Sequence, residues 1–170
     1  MIMKYAVFVI GERKSGKSTL IRSLTGCGGR RAGRIWRVKS LSGQPLKALI
    51  IDSSPQELGM STYPPHDFPQ AFEKKFGVSR NDYDLLISAL ELNVKNPYYS
   101  YREYVDNTRK QGFDVRMTAI NKRCDETQED VARISEVQNF AQHNGIRLVL
   151  VDASGDPNVA SSSVRNALYP

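Results

Sequence analysis

A chain of 170 residues, 40% of them hydrophobic and 25% charged, can bury a sizeable core unaided and is too balanced to be disordered or fibrous. Twenty-four Lys and Arg against 18 Asp and Glu leave a formal charge of +6, which suits a polyanionic ligand, from nucleotide to nucleic acid, without choosing among them. The two cysteines, Cys27 and Cys124, make neither a disulfide framework nor a metal pattern, and no stretch approaches the roughly 20 apolar residues of a membrane span.

Residues 1–10 are apolar but run straight into Gly-Glu-Arg-Lys, with no basic leader and no small-residue cleavage site. They read as a buried first strand over 5–10, not as a signal peptide. A helix follows over 17–24, with Leu20, Ile21 and Leu24 on one face and Gly26 past its end. Two strands, 34–40 and 46–51, are separated by Ser-Gly-Gln-Pro and are expected to pair as a hairpin. The segment 53–82 carries a Tyr-Pro-Pro step and a short helix over 70–76; a strand is expected over 84–90. The next helix, 98–111, has two competing starts. One is Asn96 with Pro97 in the first turn, and the other is a Ser100/Glu103 capping box.

A strand over 115–120 precedes the clearest helix, 128–143, with Val131, Ile134, Val137 and Ala141 facing inward and Gly145 as its stop. A last strand over 146–151 and a terminal helix over 159–168 complete the chain. Alternating strands and helices of this kind predict an α/β layered fold with a mostly parallel central sheet and one antiparallel pair. No repeat or interdomain linker interrupts it, so residues 1–170 are expected to form a single, cytoplasmic domain.

Where the first strand ends, the chain reads Gly11-Glu12-Arg13-Lys14-Ser15-Gly16-Lys17-Ser18-Thr19. This is Gly-x-x-x-x-Gly-Lys-Ser between a strand and a helix, the P-loop pattern. The glycines let backbone N–H groups curl around phosphates, and the helix adds unsatisfied amides and the positive end of its dipole. Lys17 supplies a cation for the β- and γ-phosphates, and the Ser18 hydroxyl is a ligand for Mg²⁺. Leu49-Ile50-Ile51-Asp52 is an apolar strand ending in a carboxylate, a second Mg²⁺-holding element of the Walker B kind.

With these elements in order, the chain resembles the small Ras-type GTPases, across nearly its full length. The resemblance implies a three-layer P-loop NTPase fold with GTP or ATP and Mg²⁺ as ligands. Asp52-Ser53-Ser54-Pro55-Gln56 lies where that family has Asp-x-x-Gly-Gln, which implies that Gln56 orients the attacking water. Asn121-Lys122-Arg123-Cys124-Asp125 resembles the base-reading Asn-Lys-x-Asp, and Asp152-Ala153-Ser154 resembles the later loop whose alanine amide faces the base.

Four departures have physical consequences. Pro55 replaces a glycine and has no N–H for a γ-phosphate. Residues 26–33 contain neither Ser nor Thr, and the next hydroxyl, Ser40, falls on a strand. One extra residue displaces Asp125 from register with guanine; the segment is either a bulged base reader or a plain helix start capped by Asp125 or Thr127. Arg13 and Lys14 stand at phosphate-loop positions where the family prefers glycine. They offset charge during phosphoryl transfer, obstruct the attacking water, or point into solvent.

Elsewhere, Arg37 and Lys39 share one strand face and Trp36 and Val38 the other, so the basic cluster of Arg30, Arg31, Arg34, Arg37 and Lys39 reads as solvated sheet before it reads as a nucleic-acid or partner surface. His66 and His143 have no metal or triad spacing, and Tyr101, Tyr104 and Val105 fit a buried helical stripe. The expectation is a slow Mg²⁺-dependent GTPase or NTPase, regulatory or assembly-related and responsive to a protein activator. Its catalytic residues are Lys17, Gln56 and Arg13. The rivals are an ATP-dependent kinase of a small molecule or nucleotide and a non-catalytic nucleotide-binding scaffold.

Overall fold

The first strand, β1 (Lys4–Gly11), sends Ala6, Phe8 and Ile10 to one face of the sheet and Val7 and Val9 to the other, all fully buried. A strand apolar on both sides belongs at the centre of a sheet covered by helices on both faces. The structure, a computed structural model, describes residues 3–27, 35–56, 64–93 and 99–170. Around β1 the described strands are β2 (Ile35–Lys39), β3 (Pro45–Ile51), β4 (Leu85–Glu91), β5 (Phe113–Lys122) and β6 (Leu148–Asp152). They form one sheet in the order β2-β3-β4-β1-β5-β6. Only the hairpin pair β2–β3 is antiparallel.

The helices are α1 (Lys17–Thr25), α2 (Gln70–Phe76), α3 (Tyr101–Lys110), α4 (Val131–His143) and α5 (Pro157–Leu168), with 3-10 turns at Pro65–Asp67 and Arg80–Asp82. Leu20, Ile21 and Leu24 of α1 and Val164 and Leu168 of α5 cover one sheet face. Phe72 of α2, Tyr104 and Val105 of α3 and Ile134, Val137 and Ala141 of α4 cover the other, with Phe68 edge-on to Phe72 and Tyr104. The result is the expected three-layer α/β arrangement.

Most predicted elements are present within one or two residues, and several details differ. The α3 start is decided for the capping box: the Ser100 hydroxyl accepts the Arg102 N–H at 3.3 Å, and the Glu103 carboxylate accepts the Ser100 N–H at 3.0 Å. Helix α4 begins three residues later than expected, because Asp130, not Asp125 or Thr127, caps it by accepting the Ala132 N–H at 2.8 Å. Val131 is therefore the first helical residue, ahead of the buried stripe, and is 79% exposed instead of inward. Ser40 follows β2 in the hairpin turn, where its hydroxyl accepts the Gln44 N–H, and so it lies off the strand. Arg37 and Lys39 are exposed and Val38 is buried, as alternation requires. Arg30, Arg31, Arg34 and most of the 26–33 loop lie outside the described residues, as do Asn96 and Pro97.

Candidate functional site

Open α/β sheets present ligands with a crevice beyond the carboxyl ends of their strands, and the motif loop lies there. Gly11 ends β1, and a Cβ on it would come within 2.4 Å of the buried Ser15 Oγ. Gly16 sits at φ 112°, and a Cβ there would press within 3.2 Å of Ala153 and 3.5 Å of Cys124. Both motif glycines are thus fixed by close approach, and Gly16 also by a left-handed backbone. Between them the Ser15 N–H donates to the Glu12 carbonyl at 3.1 Å, closing the loop, and Lys14 takes a left-handed φ of 60°. The side chains of Arg13 and Lys14 are exposed.

The loop encloses a hollow of about 240 Å³ lined by Lys14, Ser15, Gly16, Lys17, Ser18, Thr19 and Cys124. The Ser15 hydroxyl is buried there without a hydrogen-bond partner among the described residues. Lys17 is 6% exposed and holds two oxygens, the Glu12 carbonyl at 2.7 Å and Glu91 Oε1 at 2.9 Å. Ser18 Oγ donates to the Asp52 backbone carbonyl at 2.9 Å, which brings hydroxyl and carboxylate residue together. The Asp52 carboxylate is buried, with Arg22 3.7 Å away. Burial and the Glu129 carboxylate push the half-buried Glu12 carboxyl up.

Gln56, expected to orient a water, has its amide committed to backbone partners. It is buried, its Nε2 donates to the Tyr99 carbonyl at 3.2 Å, and its Oε1 accepts the Glu91 N–H at 3.0 Å. To orient a water, its amide must first break these bonds to Tyr99 and to the end of β4.

The two later loops close on the phosphate loop. The Cys124 N–H donates to the Ser15 carbonyl at 3.1 Å, and the Ala153 N–H donates to the Lys122 carbonyl at 2.8 Å. A small apolar slot beside the hollow is lined by Gly16, Thr19, Leu20, Cys124, Val151, Ala153, Pro157 and Ala160. Ala153 borders that slot, and its N–H is already given to the Lys122 carbonyl. Asn121, Lys122 and Asp125 are not among the residues lining that slot. Asp125 is exposed, and its Oδ1 accepts the Thr127 N–H at 2.9 Å, a bond that, with the Thr127 side chain, holds its carboxyl below the usual range.

A parallel sheet with a glycine-bounded loop joining its central strand to a helix invites comparison with known folds. A de novo designed PLOOP2X3_50 fold protein, solved by solution NMR, matches with a TM-score of 0.52 and 12% identity, over 96% of this chain and 90% of that one. The fold is a P-loop fold. The bacterial selenocysteine-specific elongation factor EF-Sec is also similar, with a TM-score of 0.41 and 18% identity, over 97% of this chain and 28% of that one. The chain matches no protein-family model and no curated protein.

Within the P-loop fold, the residue that sequence reasoning missed is Glu91. The strand was expected to stop at residue 90, one short of it. The signal was present: Leu-Leu-Ile-Ser-Ala-Leu-Glu is a buried strand ending in a carboxylate, the pattern that had picked out Asp52. Among the described residues no cluster of three or more His, Cys, Asp or Glu forms a metal site. The donors gathered here are instead one hydroxyl and one carboxylate, an oxygen set that suits Mg²⁺, which keeps several waters and relies on phosphates for the rest. No helix among the described residues is long and apolar enough to cross a membrane.

Proposed function

We propose that the chain binds the triphosphate tail of a nucleotide in the P-loop hollow and hydrolyses it slowly, with weak preference between GTP and ATP. The observation that carries this is the hollow itself: a concave site at a helix N-terminus, holding an unpartnered buried hydroxyl and a buried lysine. Lys17 moves from Glu91 and the Glu12 carbonyl to the β- and γ-phosphate oxygens. Ser15 and the amides of residues 14–18 complete the cradle. Ser18 and Asp52 hold Mg²⁺, which when bound with the triphosphate offsets charge on the transferring group. Arg13, exposed at the rim, can swing toward the γ-phosphate.

Weak base choice follows from the apolar slot, which has no carboxylate in its lining. A site discriminates strongly only where it pairs the polar edge of its ligand. Asn121, Lys122 and Asp125, the residues named to read the base, are absent from that lining, and Asp125 already accepts from Thr127. Slow turnover follows from the missing N–H at Pro55 and from the bonds that hold Gln56. A slow enzyme of this kind suits a regulatory or assembly role, in which a protein partner accelerates the step.

Competition between GTP and ATP for a fluorescent nucleotide analogue with Mg²⁺, on wild type and Asp125→Ala, tests this. Comparable affinities, within about tenfold, and little change in their ratio on Asp125→Ala are expected. No binding of either nucleotide at millimolar concentration overturns the reading. A large GTP preference lost in Asp125→Ala overturns the base-choice part alone.

A further inference from the structure

Asp52 follows the last residue of β3 and is gripped from α1 at two points one helical turn apart. Ser18 Oγ donates to its backbone carbonyl at 2.9 Å. Arg22, four residues on and hence on the same helix face, brings a guanidinium nitrogen within 3.7 Å of its Oδ2. The pair is unequal: the Asp52 side chain is 8% exposed and that of Arg22 44%. The carboxylate is shut in, and its cation reaches it from solvent. Burying a carboxylate is costly unless a cation attends it, and among the described residues Arg22 is the cation paired with it. In the proposed site the same carboxylate, with the Ser18 hydroxyl, supplies the oxygen ligands for Mg²⁺. Two cations thus claim one buried charge, and at such spacing they repel each other.

We propose that Arg22 sets how strongly nucleotide binding depends on Mg²⁺. This rests on the nucleotide reading above and names the residue that tunes metal use at that site. Without metal, the guanidinium neutralises Asp52, so the triphosphate meets no bare carboxylate next to the hollow that Ser18 lines. With metal, the guanidinium has to give up Asp52, and its long, half-exposed stem lets it swing into water. The chain therefore gains less affinity from Mg²⁺ than a site whose carboxylate has no resident cation. The effect is a coupling free energy between two cations at one acid and is reciprocal: Arg22 weakens the metal as the metal displaces Arg22.

The test compares the affinity of a fluorescent GTP analogue in excess Mg²⁺ with its affinity in EDTA. The proteins are wild type and Arg22→Met, which keeps an unbranched stem and loses the charge. The ratio of the two affinities measures the benefit of the metal. It is expected to be about three- to tenfold larger in Arg22→Met than in wild type, as for one ion-pair-sized coupling, with weaker binding in EDTA. Arg22→Lys, which keeps the charge, should keep the wild-type ratio. Asp52→Asn removes the shared carboxylate, so adding Arg22→Met to it should leave its ratio unchanged. Raising the salt concentration should narrow the gap between wild type and Arg22→Met, because an exposed guanidinium is screened. An equal ratio in wild type and Arg22→Met overturns the proposal and leaves nucleotide binding standing. A ratio that rises as much in Arg22→Lys, or as much on the Asp52→Asn background, marks a packing role for the arginine stem and equally overturns it. So does a wild type that binds the analogue only when Mg²⁺ is present. Wild type that binds in neither condition removes the parent reading, and this one with it.

Discussion

In the proposed site Lys17 would serve binding and folding at once, and the two effects separate by mutation. Its ammonium is buried against Glu91, with side-chain exposures of 6% and 7%. Removing one partner of a buried ion pair is far more damaging than replacing both, because the remaining charge stays desolvated. Lys17→Met is therefore expected to lose about 3–5 kcal/mol of stability as well as phosphate binding. Lys17→Met combined with Glu91→Gln should recover most of that stability and none of the binding. Urea unfolding of wild type, Lys17→Met, Glu91→Gln and the double variant measures it, and a Lys17→Met chain as stable as wild type would contradict the pairing. The same residues show what local sequence can and cannot reveal. Gly11, Gly16 and Lys17 were legible because each fixed position has a local reason. The commitment of Gln56 was not, because its partners, Glu91 and Tyr99, lie 35 and 43 residues away.

Elements were most readable where one hydrophobic pattern decided them and least where polar residues offered rival boundaries. The buried strands β1, β3 and β4 are mainly apolar runs, and their existence followed from that pattern alone. At α3 two start signals competed, and tertiary packing chose: beginning at Tyr101 places Tyr101, Tyr104, Val105 and Thr108 on the buried face. The Ser100/Glu103 box then satisfies the first amides, and Ser100→Ala is expected to cost about 1 kcal/mol, read as a lower midpoint in thermal or urea unfolding. A neutral Ser100→Ala would mean that upstream residues supply the cap instead. At α4 the polar segment 121–130 gave several candidate caps. One long-range bond and two within the segment settle it: Cys124 is tied to Ser15, Thr127 to Arg123 and Glu129 to Asn121. These hold 123–127 as a loop against the phosphate cradle and leave Asp130 as the first residue free to cap.

At the scale of the whole molecule, element order was legible but sheet order was not. That β4 enters between β3 and β1 depends on pairings between strands more than 30 residues apart, such as Leu86 with both Ala6 and Leu49. It is this order that carries Glu91 to the phosphate loop. The same burial that fills both sheet faces sets the alkaline limit of the fold. Desolvation raises the phenol pKa of Tyr83, Tyr101, Tyr104 and Tyr169; Tyr83 also donates to the Glu73 carboxylate at 2.6 Å. A phenol whose folded pKa lies above its unfolded value, near 10, contributes stability that is fully present below that pH and lost as pH rises toward the folded pKa. Above about pH 10 the unfolded chain has released these protons and the folded chain has not, so stability should fall steeply there. Lysines also titrate in that range, but absorbance at 295 nm isolates the phenols. Of the eight tyrosines, these four should ionise only together with loss of far-UV circular dichroism. Independent ionisation of all eight near pH 10, with the circular dichroism unchanged, would show that these rings are not held in the core as described.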